Sequence, residues 1–102
     1  MSAVLIVDEI ATEREEFARA LQAEGFSVTQ CDSAQSAHRD IWEGTFIVVF
    51  IAGVLTGVDA KTLGGQLKDM APEVETIVYS KSDQRSALVR KAIAIRDGVA
   101  AA

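Results

Sequence analysis

The chain of 102 residues has one cysteine, one proline and one histidine. Cys31, alone, cannot form an intrachain disulfide, which points to a reducing compartment and to a small buried apolar residue, not a reactive thiol. A single proline and seven glycines exclude collagenous and low-complexity chains. His38 has no Cys or Asp partner at ligand spacing, so it is expected at a helix edge near the surface and no metal centre is expected around it. No cluster of Lys and Arg is present, and the net charge is −5. An acidic surface repels phosphate backbones and anionic lipid, so neither nucleic acid nor a membrane surface is an expected partner. The longest apolar run, 46–58, is shorter than a membrane span and is broken by Gly53, Thr56 and Gly57. The first seven residues lack the basic leader of a signal peptide. A cytoplasmic location is the expectation. Gly53, Gly57, Gly64 and Gly65 form no dinucleotide fingerprint and no P-loop.

What is present is a repeated switch of apolar period. Ala3-Val4-Leu5-Ile6-Val7 is a continuous apolar run of strand length, suited to burial on both faces of a parallel sheet. Thr12 with Glu15 makes a capping-box signature, Phe17, Ala18 and Leu21 give one apolar helix face, and Gly25 suits a helix stop. Residues 26–31 read as a second strand. Ser33 is a candidate N-cap for a helix with Ala34, Ala37, His38, Ile41 and Trp42 along one side and Gly44 at its end. Trp42 is expected to pack helix against sheet. Residues 46–51 read as a third strand. Asp59 is placed to cap a helix carrying Leu63, Leu67 and Met70, weakened by Gly64-Gly65 and stopped before Pro72. Residues 76–79 form the fourth strand, and from Ser82 onward Leu88, Ala92 and Ile95 recur at helical spacing.

Strands alternating with helices predict right-handed βαβ units and an open parallel sheet with helices on both faces. In such sheets the working crevice lies at the carboxyl ends of the strands. Those ends are Asp8 and Glu9, Ala52 and Gly53, and Ser80 and Lys81.

These residues carry a resemblance. Val4-Leu5-Ile6-Val7-Asp8-Glu9 is similar to the first strand of response-regulator receiver domains, CheY-like modules in which that strand ends in an acidic pair. The segment 47–63 resembles the part of the family in which an apolar strand ends in the phosphoacceptor Asp, followed by Pro-Gly and then Asp-Gly. Gly57 and Asp59 match the second and first residues of those two pairs, while Thr56 and Ala60 replace the others. Tyr79-Ser80 resembles the end of the fourth strand, where the family has a Thr or Ser. The resemblance covers nearly all of residues 1–102, read as one receiver-like domain. It implies the flavodoxin/CheY-like fold with strand order 2-1-3-4, the family's fifth strand and helix being missing or vestigial before Ala102.

The ungapped match places Ala52 where the phosphoacceptor would stand. A methyl group offers no nucleophilic oxygen, so the resemblance implies a degenerate phosphorylation site. The family shares a Mg²⁺ between acidic pair and acceptor. With one carboxylate replaced, Asp8 and Glu9 are read as a residual acidic pair facing solvent, and neither Mg²⁺ nor another cofactor is expected. Lys81 stands where the family has a small residue; its ammonium either neutralises the acidic pair or is solvated on its loop. Ser80 and Lys81 are the switch-like positions.

The leading expectation is a pseudo-receiver: not an enzyme, but a phosphorylation-independent interaction module in bacterial signalling. The rival is a working phosphoacceptor that uses a non-standard acceptor. A flavin or nucleotide binder is a weaker third reading, since no strand-end loop is rich enough in Gly, Ser and Thr to cradle phosphate. Four strands in this order would leave residues 76–79 at an open edge with no Pro or charge to discourage pairing, so a homodimer is expected.

Overall fold

The computed structural model describes residues 2–98. Strands β1 (Ala3–Val7), β2 (Ser27–Cys31), β3 (Val48–Ala52) and β4 (Glu75–Tyr79) alternate with helices α1 (Ala11–Gln22), α2 (Ala34–Glu43), α3 (Ala60–Met70) and α4 (Arg85–Asp97). The strands form one parallel sheet in the order β2-β1-β3-β4. This is the open parallel α/β sheet the alternation predicts, in the flavodoxin/CheY-like strand order the receiver resemblance implies.

The central strands are apolar throughout because both of their faces are covered. Leu5, Val7, Val49 and Ile51 pack with Ala37 and Ile41 of α2 and with Leu63 and Leu67 of α3. Val4, Ile6, Val48 and Phe50 pack with Phe17 and Leu21 of α1 and with Leu88, Val89 and Ala92 of α4. Two helices therefore lie on each face. Helix α4 is fastened at one end to α1 and at the other to the segment that follows α1. Arg85 bridges Glu13 and Glu16 (3.2 and 3.1 Å). Arg96 donates to the Glu24 carbonyl (2.7 Å) and lies over the Phe26 ring.

Two helix starts follow from side-chain capping, as the sequence predicts. Ser33 Oγ accepts from the Ser36 N–H, and Asp59 Oδ2 accepts from the Thr62 N–H. Helix α1 differs. Its N-cap is Ile10, before Thr12, and the cap side chain makes no hydrogen bond. The start is set instead by Asp8, whose Oδ1 accepts the Ile10 N–H at 2.9 Å. Helix α4 begins at Arg85, later than Ser82, because Ser80, Ser82 and Asp83 close a turn of their own.

Trp42 is a correction: it is 80% exposed and does not pack against the sheet. The inward arc of α2 is filled by Ala37 and Ile41, and the residue after Ile41 points about 100° further round the helix axis. Met70, in the last turn of α3, is 40% exposed although it lies on the same stripe as Leu63 and Leu67. Gly64 faces the sheet in the middle of α3. A Cβ there would meet Ile51 Cδ1 at 3.4 Å and the Thr76 side chain at 3.7 Å, ordinary contact distances, so an alanine would fit and would suit the helix better. His38 sits at the edge of α2, its ring nitrogens 2.8 Å from the Ala34 carbonyl and 3.0 Å from Gln66 Oε1 on α3.

Candidate functional site

The carboxyl ends of β1, β3 and β4 meet beneath the start of α4. Asp8 follows β1 directly and is 4% exposed, the one buried charged residue among those described. Burying a carboxyl group is tolerable only when its oxygens are satisfied. Both are: Oδ1 by the Ile10 N–H and Oδ2 by the Tyr79 phenol at 2.8 Å. The Arg14 guanidinium donates to the Asp8 carbonyl (2.9 Å) and steadies the same turn.

Glu9 points the other way, into solvent, and is held by Thr56 in the loop after β3. The Thr56 N–H donates to Oε2 and its hydroxyl to Oε1 (2.8 Å). These two bonds, the backbone one first, lower the Glu9 pKa below the ordinary carboxylate value. The acidic pair thus splits, one carboxyl buried and one exposed, with different partners.

Ala52 ends β3 and faces the same crevice, opposite Tyr79 in the β3–β4 register. The following Gly53 N–H donates to the Tyr79 carbonyl at 2.7 Å, and a Cβ on Gly53 would come within 3.2 Å of that oxygen. The crevice has a volume of about 370 Å³ and a largely apolar wall, lined by Phe17, Tyr79, Leu88 and Ile10 and also by Lys81, Asp83 and Arg85. Phe17, Phe50 and Tyr79 stack edge to face, with centroids 4.8 Å apart for Phe17–Phe50 and 5.4 Å for Phe17–Tyr79. Burial first, and then the hydrogen bond to Asp8 and its charge, push the Tyr79 phenol well above the ordinary tyrosine value. Tyr79 is therefore a donor at any physiological pH.

Among the described residues Lys81 makes no ion pair or hydrogen bond, so the acidic pair is satisfied by neutral donors and not by this ammonium. Ser80 is engaged in its turn, its N–H donating to Asp83 Oδ2 (2.8 Å) and its hydroxyl lying 2.7 Å from Ser82 Oγ. Asp8, Ala52, Ser80 and Lys81 all line the crevice, and Glu9 lies outside it. Sequence reasoning missed the two donors that complete the arrangement, Tyr79 and Thr56. Thr56 stands where the sequence departs from the receiver pattern, whereas Tyr79 enters the sequence reading only as part of the fourth-strand match.

No family model and no curated protein matches the chain. Solved structures do. A CheY-like response-regulator receiver domain protein from Methanospirillum hungatei superposes with a TM-score of 0.88 at 15% identity, over 97% of this chain and 96% of its own. A two-component response regulator from Clostridium difficile gives 0.83 at 15%, over 99% and 100%. The response regulator TrrA from Thermotoga maritima, in complex with Mg²⁺-BeF, gives 0.81 at 18%, over 93% and 99%. Strand order, helix placement and these superpositions together establish that the chain has the fold of response-regulator receiver domains.

Proposed function

We propose that this chain is a pseudo-receiver, a regulatory module in bacterial two-component signalling that acts by binding other proteins in the cytoplasm without being phosphorylated and without catalysing a reaction. The observation that carries the reading is the pairing at the end of the sheet. A methyl group, Ala52, stands where the receiver resemblance places the acceptor, and a tyrosine phenol occupies the carboxylate oxygen of Asp8 beside it. Acyl-phosphate formation needs an oxygen nucleophile in that place. Asp59 is a poor substitute, since its Oδ2 is taken by the Thr62 N–H and hydroxyl as a helix cap.

The residues also do not fit the Mg²⁺ that receivers use. A hard dication wants several free oxygen ligands close together. Here one carboxyl is held by Ile10 and Tyr79, the other is turned away to Thr56, and the third position is a methyl. Without phosphate and metal as inputs, what the fold offers a partner is its standing surface.

The test is mass spectrometry after incubation with acetyl phosphate and Mg²⁺. The expected result is an unchanged mass. Stoichiometric addition of a phosphoryl group, mapped to Asp8, Glu9 or Asp59, overturns the reading in favour of a receiver with a non-standard acceptor.

A further inference from the structure

Among the described residues no strand pairs with the outer edge of β4, and the position of α4 explains why. In β3–α3–β4 the crossover helix lies on the α2/α3 face and the chain moves outward to β4. Parallel crossovers are right-handed in nearly all proteins. A further parallel strand beside β4 would therefore need its crossover helix on that same α3 face. Helix α4 lies on the opposite, α1 face, fastened there by Arg85 and Arg96. A parallel strand following α4 could reach the β4 edge only by a left-handed connection. The same placement leaves Val78, on the α3 side of β4, 46% exposed. Val78 thus serves no tight core, contrary to what its place in an apolar strand suggests.

Alternate residues of a strand send their amides to opposite sides. The Glu75 N–H and the Tyr79 carbonyl bond inward to β3, through Ile47 and Gly53. Thr76 and Val78 therefore direct their N–H and C=O groups to the open edge. The groups on either side are already used. The Val74 carbonyl accepts from Lys68 Nζ (2.8 Å), and the Ser80 N–H and carbonyl are both bonded to Asp83. The edge presents a short set of two donors and two acceptors, bounded at both ends.

We propose that a second copy of this chain covers that edge, with the two β4 strands antiparallel about a two-fold axis that sets Ile77 opposite its counterpart. Thr76 then faces Val78 of the other copy, and all eight open groups are satisfied by four hydrogen bonds. Shifting the strands so that Val78 meets Val78, or Thr76 meets Thr76, pairs only one residue per copy and leaves half of those groups without partners. Isologous pairing closes the assembly at two copies and joins the sheets into one of eight strands. This inference names the partner for the contact function proposed above, but its readout does not depend on phosphorylation, so either can fail alone.

Light scattering on the intact chain at high micromolar concentration should give twice the monomer mass; a monomer overturns the proposal. Cysteine substitutions read the register. A mixture of Thr76→Cys and Val78→Cys chains should form the mixed disulfide on mild oxidation, since directly opposed residues lie within disulfide reach. Neither variant should cross-link to itself. Self-linkage of either one, or no mixed linkage in a dimeric sample, refutes this pairing. Thr76→Pro, which removes one edge donor without disturbing the inward ladder, should give a folded monomer by circular dichroism and light scattering. A folded dimer of that variant places the contact elsewhere and also overturns the proposal. The disulfide test stands should the proline variant fail to fold.

Discussion

The Tyr79 phenol donates a 2.8 Å hydrogen bond to Asp8 Oδ2, joining the end of β4 to the end of β1 across the intervening β3. Ala52, on the strand between them, is small enough to leave this line open. The bond lets an acidic residue remain almost fully buried at a strand end with no ion pair to its carboxylate among the described residues.

Tyr79→Phe should therefore be destabilising out of proportion to one lost oxygen. It leaves Asp8 Oδ2 buried without its donor, a loss of about 1–3 kcal/mol. Urea denaturation of parent and variant at neutral pH measures it. Equal midpoints would mean that water replaces the phenol at no cost.

The same bond bears on metal binding. Ala52→Asp places a further carboxylate in the crevice, yet Tyr79 still holds the Asp8 oxygen. Titration calorimetry with Mg²⁺ should show little binding for Ala52→Asp alone and more for the double variant Ala52→Asp/Tyr79→Phe. No difference between the two would separate the phenol from any role in excluding metal.

Thr56→Val keeps the backbone donor to Glu9 and removes the hydroxyl, so the Glu9 pKa should rise part of the way back to its ordinary value of 4.5. A group whose pKa is lowered by folding contributes stability above its unfolded value, and that contribution is lost as pH falls through the folded value. The difference between parent and variant should thus be present at neutral pH and close in acid below the ordinary carboxylate range. NMR titration of the Glu9 side chain and acid unfolding curves check both halves.

Cys31 is buried, and its thiol pKa is pushed up to about 12, by burial first and then by the charges of Asp40 and Asp32. A thiol kept protonated is a poor nucleophile. Reaction with a disulfide reagent near neutral pH should be slow in the native protein and complete once urea unfolds it. Fast native labelling would place Cys31 at the surface.

Lys81→Ala should be nearly silent, within about 0.5 kcal/mol, because the residue makes no bond among those described. Thermal unfolding across the acid to neutral range tests this. A loss of stability near neutral pH that fades in acid would restore Lys81 as the counter-charge of the acidic pair.

Much of the fold was legible in the sequence because its signals are local. A run such as Val48–Ile51 is apolar at every position only where both sheet faces are covered, and Ser33 and Asp59 cap their helices through bonds spanning three residues. Thr12 misled for the same reason. Its capping signature is local, but the buried Asp8 set the start of α1 earlier. Trp42 misled because a helical stripe read by residue type alone does not say where the arc of contact ends.

The sequence by itself determined the alternation of strands and helices, and with it the parallel sheet and the place of the crevice at Asp8, Ala52 and Ser80. These follow from period, capping and chain connectivity, which act over a few residues. Only the tertiary structure decided that Tyr79 and Thr56 are the partners of Asp8 and Glu9, because those bonds join residues 71 and 47 positions apart. Thr56 shows the point in one residue: where the family pattern has proline, with no N–H, this chain has a donor that Glu9 uses twice. The face on which α4 packs was likewise decided by long-range contacts, Leu88 and Val89 against Phe17 and Phe50 and Arg85 against Glu13. No local pattern distinguishes one face of a sheet from the other, and it is the choice of face that leaves the outer edge of β4 unpaired among the described residues.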